Sequence, residues 1–366
     1  MINRQSFRAA ILLAVVLLSG FGTDSFAGGG RKGKNPKNII LFIGDGMGVA
    51  QVYAGMTVCD RPFNIEKFPC SGFSKTYSAD NYITDSAAGG TALSCGEKTN
   101  NGMIGVRPDG SVISSIIELA HKKGMATGVV STSAITHATP ASFVAHNSGR
   151  GNYEDIARDF LKGSIDVFIG GGENHFRVRK DSVDLTVDLK KQGFDVVYTI
   201  DDMYKSESSK LAALLSEEHM PTVLEGRGNA LAHMTAKAIE TLSRDGKGFF
   251  LMVEGSMIDW GAHERNIEYV VAEMIDLDEA VGVGLTYAEN SGNTLVMLTA
   301  DHETGGLTLN GGSMTEHRVN AGFSGTGHTA VMVPVFSYGP GADRISGIHD
   351  NTFYFGEFLK MLKLKK

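Results

Sequence analysis

Residues 38–48 read NIILFIGDGMG, an apolar run that ends in glycines around a single aspartate. Such a short apolar run is typical of a strand that is buried on both faces of a parallel sheet. The glycines allow a sharp turn directly after the strand, which leaves Asp45 at its carboxyl end. Because open α/β sheets bind ligands at the carboxyl ends of their strands, Asp45 marks the edge at which a functional site is expected.

Apolar runs of this kind alternate with helical patterns along the chain. The alternation predicts an α/β fold, a single domain with a large, mostly parallel central sheet and helices on both faces. Strands are predicted at residues 38–43, 127–131, 167–169, 196–198, 249–253, 294–298 and 331–338. Helices are predicted at residues 111–124, 229–243, 266–289 and 351–364, each beginning at a residue type that commonly caps helices. Residues 305–329 are rich in Gly, Ser and Thr and are predicted to form a loop.

The composition describes an acidic globular protein. The chain has 366 residues, of which 42% are apolar and 20% charged, and a net charge of −7. An acidic surface repels the phosphate backbone, so nucleic acid is not expected as a partner. The cysteines Cys59, Cys70 and Cys95 allow one disulfide, with Cys59 and Cys70 as the nearer pair, or three free buried thiols.

The first residues follow a different pattern. Arg4 and Arg8 precede an apolar run over residues 9–18, and Ser25-Phe26-Ala27 offers a small-x-small cleavage site. This predicts a signal peptide over residues 1–27, a flexible mature amino terminus over 28–37 and the globular domain over 38–366. The protein is therefore expected to be exported, to the periplasm or the medium, with an uncleaved anchor as the alternative. No other segment has the ~18 consecutive apolar residues that span a bilayer, so no membrane contact is expected after removal of the signal.

Side chains that ligate metals follow several of the predicted strands. They are Asp45, Glu254, Asp259, His263, Asp301, His302 and His328. Carboxylates mixed with imidazoles suit Zn²⁺, and Mg²⁺ where oxygen ligands dominate. Asp259 and His263 are four residues apart, which places both on one face of a helical turn. Each alone could be a helix cap or a buried hydrogen-bond partner, but seven together at strand ends favour a metal site.

Two further strings contain candidate catalytic groups. In YITDSAAGGTA, Ser86 is a candidate nucleophile with no Gly-x-Ser-x-Gly elbow and no obvious histidine base, so a metal could activate its hydroxyl. The alternative for Ser86 is a helix cap.

The string STSAITHATPASFVAHNSGR contains His137, Thr139 and Arg150, and a guanidinium can bind two phosphate oxygens at once. A single arginine could equally be a surface charge.

Six motifs in order, IGDGMG, TDSAA, HATPASFVAHNSGR, VEGSMIDWGAH, TADHETGG and GTGH, resemble the alkaline phosphatase family over essentially the whole chain after residue 27. The resemblance implies hydrolysis of small-molecule phosphate monoesters through a phosphoserine intermediate, with broad substrate range and an alkaline pH optimum. Because the family is usually dimeric, the resemblance also implies a homodimer. It assigns one zinc to Asp259, His263 and His328, and a second to Asp45, Asp301, His302 and Ser86. It assigns Mg²⁺ to a third site formed by Asp45, Thr139 and Glu254, and it makes Arg150 the group that binds the phosphate.

Two positions depart from the pattern of the enteric bacterial members, which carry Asp where this chain has His137 and Lys where it has Trp260. Vertebrate members place histidine at both positions. Because an added imidazole favours Zn²⁺ more than oxygen ligands do, the third metal could be Zn²⁺ instead of Mg²⁺. Loss of the lysine removes a cation that could hold phosphate, so product binding is expected to be weaker.

Three other functions compete with phosphomonoester hydrolysis. A phosphodiesterase of the same superfamily would share the two zinc sites, but Arg150, Thr139 and Glu254 suit a monoester dianion better than a diester. A sulfatase needs a Cys/Ser-x-Pro-x-Arg string, which Ser86 does not begin. A periplasmic phosphate binder without catalysis would need neither zinc nor a nucleophile.

Overall fold

A computed structural model describes residues 35–366, so the predicted signal peptide and residues 28–34 of the predicted flexible terminus lie outside the described residues. The strands are β1 (Asn38–Gly44), β2 (Cys70–Lys75), β3 (Ala126–Ala134), β4 (Val167–Gly171), β5 (Asp195–Val197), β6 (Leu211–Leu214), β7 (Phe249–Gly255), β8 (Thr294–Thr299), β9 (Glu303–Thr304), β10 (Leu307–Ser313), β11 (Arg318–Phe323), β12 (His328–Thr329), β13 (Val333–Tyr338) and β14 (Gly347–Asp350).

The helices connect these strands. They are α1 (Val49–Val58), α2 (Ser86–Cys95), α3 (Ile116–Lys122), α4 (Ala138–Val144), α5 (Tyr153–Asp159), α6 (Glu173–Arg177), α7 (Leu185–Lys191), α8 (Ile200–Lys205), α9 (Ala230–Ser243), α10 (Met257–His263), α11 (Ile267–Ser291) and α12 (Phe353–Leu362). Short 3₁₀ turns occur at Asn64–Lys67, Phe160–Lys162, Val223–Glu225 and Ala342–Arg344.

Ten strands form one central sheet in the order β14-β2-β13-β8-β1-β7-β3-β4-β6-β5. The strands from β8 to β5 pair in parallel, whereas β13 runs antiparallel to both of its neighbours. Two small antiparallel ladders, β10 with β11 and β9 with β12, lie outside this sheet. The predicted fold, a single α/β domain on a large and mostly parallel sheet, is confirmed.

The sheet is covered on both faces, as the continuous apolar runs predict. In β1, Ile39, Leu41 and Ile43 pack into a core with α2, α3, α4 and α12, while Ile40 and Phe42 pack into a second core with α9 and α11. All five side chains are fully buried. Full burial of such a side chain contributes about 1.5–3 kcal/mol, so both layers of helices hold the central strands in place.

The predicted central elements are confirmed, with small shifts at their ends. All seven predicted strands occur, although β5 is Asp195–Val197 and β13 begins at Val333 because Val331 is exposed. The helices predicted at residues 229–243 and 266–289 occur as α9 and α11, and the Asn266 side chain caps α11 by accepting a hydrogen bond from the Tyr269 amide.

The prediction of a helix from Ser111 was wrong. Val112 instead forms an isolated bridge with Val106, and the Ser111 amide closes a turn on Asp109. The helix α3 begins at Ile116, where Ser115 and Glu118 form a reciprocal capping box. The apolar residues spaced three and four apart therefore belong in part to a turn and only in part to the helix, which is shorter than predicted.

Two other sequence predictions also needed correction. Asn351 does not cap the last helix, because its side chain contacts Lys98 and Thr76, and α12 begins at Phe353. The predicted loop over residues 305–329 contains the β10–β11 hairpin, whose central residues are mostly exposed.

The remaining fold-level predictions concern thiols and membranes. Cys59, Cys70 and Cys95 are free thiols, although Cys70 is only half-buried, so the disulfide alternative is not supported. Over residues 35–366, the helices lack the combination of length and apolar character needed to cross a bilayer.

Candidate active site

Four adjacent central strands, β8, β1, β7 and β3, bring the predicted site residues to one edge of the sheet. Parallel strands end at the same edge, so residues that are far apart in sequence meet there. Asp301 and His302 follow β8, and Asp45 follows β1. Glu254 lies in β7, and the helix after it carries Asp259 and His263. His137 and Thr139 follow β3. His328 reaches the same place from β12.

Gly46 allows these segments to pack closely. Its φ is +73°, and a Cβ at this position would lie 2.7 Å from the Asp259 Cα. Its amide donates a hydrogen bond to Asp301 Oδ1 at 3.3 Å. Any side chain at this position would therefore separate the turn after β1 from two of the predicted ligands.

The first group of candidate ligands consists of Asp45, Asp301 and His302, with Ser86 beside them. The His302 Nε2 lies 3.4 Å from Asp45 Oδ1, 3.3 Å from Asp301 Oδ2 and 3.3 Å from Ser86 Oγ. All four side chains are buried. Sequence analysis found no histidine near Ser86, but the structure places one within contact of its hydroxyl.

The second group consists of Asp259, His263 and His328. His263 Nε2 lies 3.2 Å from Asp259 Oδ2 and 3.2 Å from His328 Nε2. The Nδ1 atoms of both histidines contact backbone carbonyls, that of His263 at Thr326 and that of His328 at Thr84. Each Nδ1 must therefore carry the proton, so two Nε2 lone pairs face each other, an arrangement that a shared cation stabilises.

The third group consists of Asp45, His137 and Glu254, whose ligand atoms lie within 4.8 Å of one another. Thr139 Oγ1 donates to Asp45 Oδ2 at 3.3 Å. Asp45 thus belongs to the first and the third groups at once, as a bridging carboxylate would. The residues that the resemblance assigns to metals belong to these three groups or, for Ser86 and Thr139, contact a member of them.

Buried atoms without partners indicate that cations belong here. Asp45 Oδ1, His137 Nδ1, Glu254 Oε1 and Asp301 Oδ2 are buried and make no hydrogen bond. Burying one polar atom without a partner costs about 1–3 kcal/mol. Four such atoms in one cluster would therefore be very unfavourable. Divalent cations coordinated by these atoms would remove that cost, so the donor set fits Zn²⁺ and Mg²⁺.

The raised pKa values of three of the carboxylates also indicate that their negative charge lacks a compensating positive charge. Burial, followed by the charges of Asp301 and Asp259, raises the pKa of Asp45 well above its usual value. Burial and the charge of Asp259 raise the pKa of Asp301 to about 6, and burial raises that of Glu254. Burial opposes ionisation of Asp259 too, but its contact with His263 and the neighbouring imidazoles lower its pKa overall. A cluster of carboxylates that resists ionisation is a strong site for cations.

Two of the imidazoles, those of His302 and His137, are poised as neutral ligands. Burial lowers the pKa of His302 to about 4 and, together with the charge of Arg150, lowers that of His137 to about 3. Both side chains are therefore uncharged at neutral and alkaline pH, where a metal ligand must offer a lone pair.

Sequence analysis missed a set of hydroxyl groups that orient the ligands. Thr304 Oγ1 contacts Asp259 Oδ1 and lies 3.2 Å from His302 Nδ1, so it links the first and second groups. Ser131 and Ser256 donate to Glu254 Oε2 at 2.5 and 2.7 Å, which leaves Oε1 free. Such contacts fix the orientation of metal ligands and their tautomers.

Arg150 reaches the site beside the amino end of α2. Its Nη1 forms an ion pair with Asp85 Oδ2 at 2.8 Å, and its Nη2 lies 3.4 Å from His137 Nε2. Asp85 also caps α2 by accepting a hydrogen bond from the Ala88 amide at 3.0 Å. The cap leaves Ser86 as the first residue of the helix, where the helix dipole favours a negatively charged group.

Trp260 lies beside the third group. Its ring centroid is 4.7 Å from that of His219 and 6.1 Å from that of His137. His219 accepts a hydrogen bond from the Ala134 amide at 3.0 Å. No local motif surrounds His219, so only the folded chain reveals its position.

Comparisons with known proteins show which family this chain resembles. The family model described as alkaline phosphatase matches residues 36–318. Alkaline phosphatase 4 of Bacillus subtilis is 32% identical over 90% of this chain and 89% of its own length. Alkaline phosphatase of Escherichia coli is 32% identical over 91% of this chain and 87% of its own length.

Among solved structures, the alkaline phosphatase from the Antarctic bacterium TAB5 matches with a TM-score of 0.87 and 43% identity, over 91% of this chain and 99% of that chain. A variant of that protein with a histidine replaced by aspartate has Mg bound in its M3 site. The fold, the site and these matches place the chain among the phosphatases. It belongs to the alkaline phosphatase family.

Proposed function

We propose that the chain hydrolyses phosphate monoesters to an alcohol and inorganic phosphate, with Ser86 as the nucleophile. The observation that carries the proposal is the meeting of three ligand groups with Ser86 at one edge of the sheet, with Arg150 nearby. The reaction is tested by measuring alcohol and inorganic phosphate released from a panel of monoesters. Equal amounts of the two products support hydrolysis, whereas binding of phosphate without turnover would support a non-catalytic binder.

The cations assigned to this site are two Zn²⁺ and a third ion per chain. Asp259, His263 and His328 would hold the first zinc, and Asp45, Asp301, His302 and Ser86 the second. Asp45, Thr139, His137 and Glu254 would hold the third ion, Mg²⁺ or Zn²⁺. When bound, these ions lower the pKa of a coordinated hydroxyl or water and offset the charge that develops on the attacking and leaving oxygens.

The protein residues position the reacting atoms. Ser86 Oγ, at the first turn of α2, attacks phosphorus, and a bond from phosphorus to Oγ forms as the bond to the ester oxygen breaks. Water then attacks the phosphoserine, which releases inorganic phosphate and restores the hydroxyl. Arg150, held by Asp85, donates hydrogen bonds to phosphate oxygens through the first and second steps.

A phosphodiesterase is the alternative within the same superfamily. A monoester dianion has three terminal oxygens, whereas a diester carries a second organic group in place of one of them. Arg150 Nη2 lies 3.4 Å from His137 Nε2, so the guanidinium stands beside the third ligand group, and the two together would serve the additional charge. We therefore favour monoesters.

Two further properties are proposals from the sequence alone. We infer that the chain is exported, because residues 1–27 have the pattern of a signal peptide. We also infer that it forms a homodimer, since the family is usually dimeric.

Replacement of Arg150 by alanine is expected to lower kcat/KM about 10–100-fold, the effect of losing a few hydrogen bonds to a charged group. The zinc ions should stay bound, because Arg150 touches His137 but none of the ligands in the first two groups. The control is Arg158→Ala, since Arg158 pairs with Asp181 on the exposed surface. An Arg150→Ala variant that is inactive while retaining both zinc ions would contradict this role.

Replacement of Trp260 by lysine is expected to strengthen inhibition by inorganic phosphate, because it adds a cation beside the third ligand group. Adding His137→Asp should shift the preference of the third site toward Mg²⁺, since a carboxylate replaces an imidazole. Phosphate inhibition constants, metal content and thermal unfolding of the single and double variants check these outcomes. A lower melting temperature with unchanged phosphate affinity would show that Trp260 acts by packing on His219.

A further inference from the structure

A second set of contacts lies behind the ligand groups, on the opposite face of the β9–β12 ladder. In this ladder Thr304 pairs with His328, and Glu303 pairs with Thr329. Because side chains alternate along a strand, Thr304 and His328 face the ligands while Glu303 and Thr329 face away from them. Glu303 is only 5% exposed, so its carboxylate is buried although it ligates nothing in the three groups.

Glu303 accepts four hydrogen bonds, all from neutral groups. Oε1 accepts from Gln51 Nε2 at 2.8 Å and from the Leu307 amide at 3.1 Å. Oε2 accepts from the Gly306 amide at 3.3 Å and from the Thr329 hydroxyl. A carboxylate accepts hydrogen bonds at both of its oxygens. A glutamine amide has the same shape but carries an NH2 donor in place of one oxygen, so glutamine could not make all four contacts.

Gln51, which is fully buried in α1, extends this set to the turn after β1. Its Oε1 accepts a hydrogen bond from the Gly48 amide at 3.1 Å, and its Nε2 also donates to the Thr304 carbonyl at 2.9 Å. The turn lies close against Glu303, since a Cβ on Gly48 would be 2.5 Å from Glu303 Cγ. Every hydrogen-bonding atom of the Gln51 amide is therefore used.

We propose that Gln51 and Glu303 are positioning residues that hold the ligand-bearing segments of the two zinc sites in register. The pair joins the turn that carries Asp45, the segment that carries Asp301 and His302, and the strand that carries His328. This inference rests on the proposed function, because it assigns the pair a role in zinc binding. Substitution of either residue should therefore affect metal binding by the first two ligand groups. Glu254 and His137, which lie on β7 and after β3, should keep their positions.

Glu303→Gln is expected to weaken zinc binding about 10–100-fold, the usual effect of losing a group that orients metal ligands. Zinc affinity is measured by equilibrium competition with a chromogenic chelator, which does not depend on activity. Thr329→Val removes only one of the four contacts, keeps the shape of the side chain, and is expected to weaken zinc binding a few-fold. It also serves as the test if Glu303→Gln fails to fold.

Asp278→Asn is the matched control. Asp278 is a fully buried carboxylate that accepts hydrogen bonds from Arg61, Asn64 and the Ile65 amide, and it belongs to none of the ligand groups. It should lower the unfolding midpoint of the metal-free protein in denaturant but leave zinc affinity within about twofold of wild type.

Equal zinc affinity in Glu303→Gln and wild type, or equal losses in Glu303→Gln and Asp278→Asn, would overturn the positioning role while leaving the proposed function intact. A wild-type chain that takes up no zinc would overturn both.

Discussion

Ser86→Ala is expected to lower turnover of phosphate monoesters about a thousandfold or more, because the atom that attacks phosphorus is removed. Zinc and phosphate binding should persist, since Asp45, Asp301 and His302 still form the first ligand group. The helix should also persist, because Asp85 provides the cap of α2 and alanine is favourable at its first position.

The measurement combines steady-state rates with an acid quench. Wild-type protein mixed with labelled phosphate and quenched in acid should retain label on Ser86, and the alanine variant should retain none. Ser94→Ala is the matched control, since Ser94 is buried in the same helix and bonds to the Ser142 carbonyl at 2.6 Å. Unchanged turnover in Ser86→Ala would end the assignment of the nucleophile.

Asp259→Ala and His328→Ala are each expected to reduce turnover to near background, a larger effect than Arg150→Ala. Each removes one of three side chains in the second group and leaves an open ligand position where the departing alcohol is stabilised. Metal content should fall by about one zinc per chain.

Metal analysis by mass spectrometry and rates at saturating substrate check this prediction. The control is His121→Ala, because His121 is half-exposed beside Asp166 and belongs to none of the ligand groups. A variant of His328 that keeps both zinc ions and most of its turnover would remove this residue from the site.

The sequence predicted the centre of the sheet well because burial on both faces leaves an unbroken apolar run. Strands without that pattern were missed, and so was β6 (Leu211–Leu214), a run of only four residues although all four are buried. In β2 (CSGFSK) burial alternates and half of the residues are polar, and in β14 (GIHD), at the edge of the sheet, no residue is buried. An edge strand such as β14 keeps one side open to solvent, so composition alone does not distinguish it from a loop.

The candidate ligands were predictable for a related reason. Carboxylates and imidazoles that follow buried strands stand out in the sequence, and parallel strands bring their ends together. The groups that orient them do not stand out, because a threonine or serine hydroxyl acquires its role only from a distant partner. Ser131 meets Glu254 across 123 residues, and Thr304 meets Asp259 across 45. Gln51 and Glu303 are 252 residues apart and are joined only by the fold.

The most direct test of the account compares hydrolysis of p-nitrophenyl phosphate and bis(p-nitrophenyl) phosphate by the wild-type protein, with and without a chelator. We expect a large preference for the monoester, loss of that activity when the chelator removes the metals, and recovery when zinc and magnesium are restored. A preference for the diester, or monoester hydrolysis that persists in the metal-free protein, would contradict it.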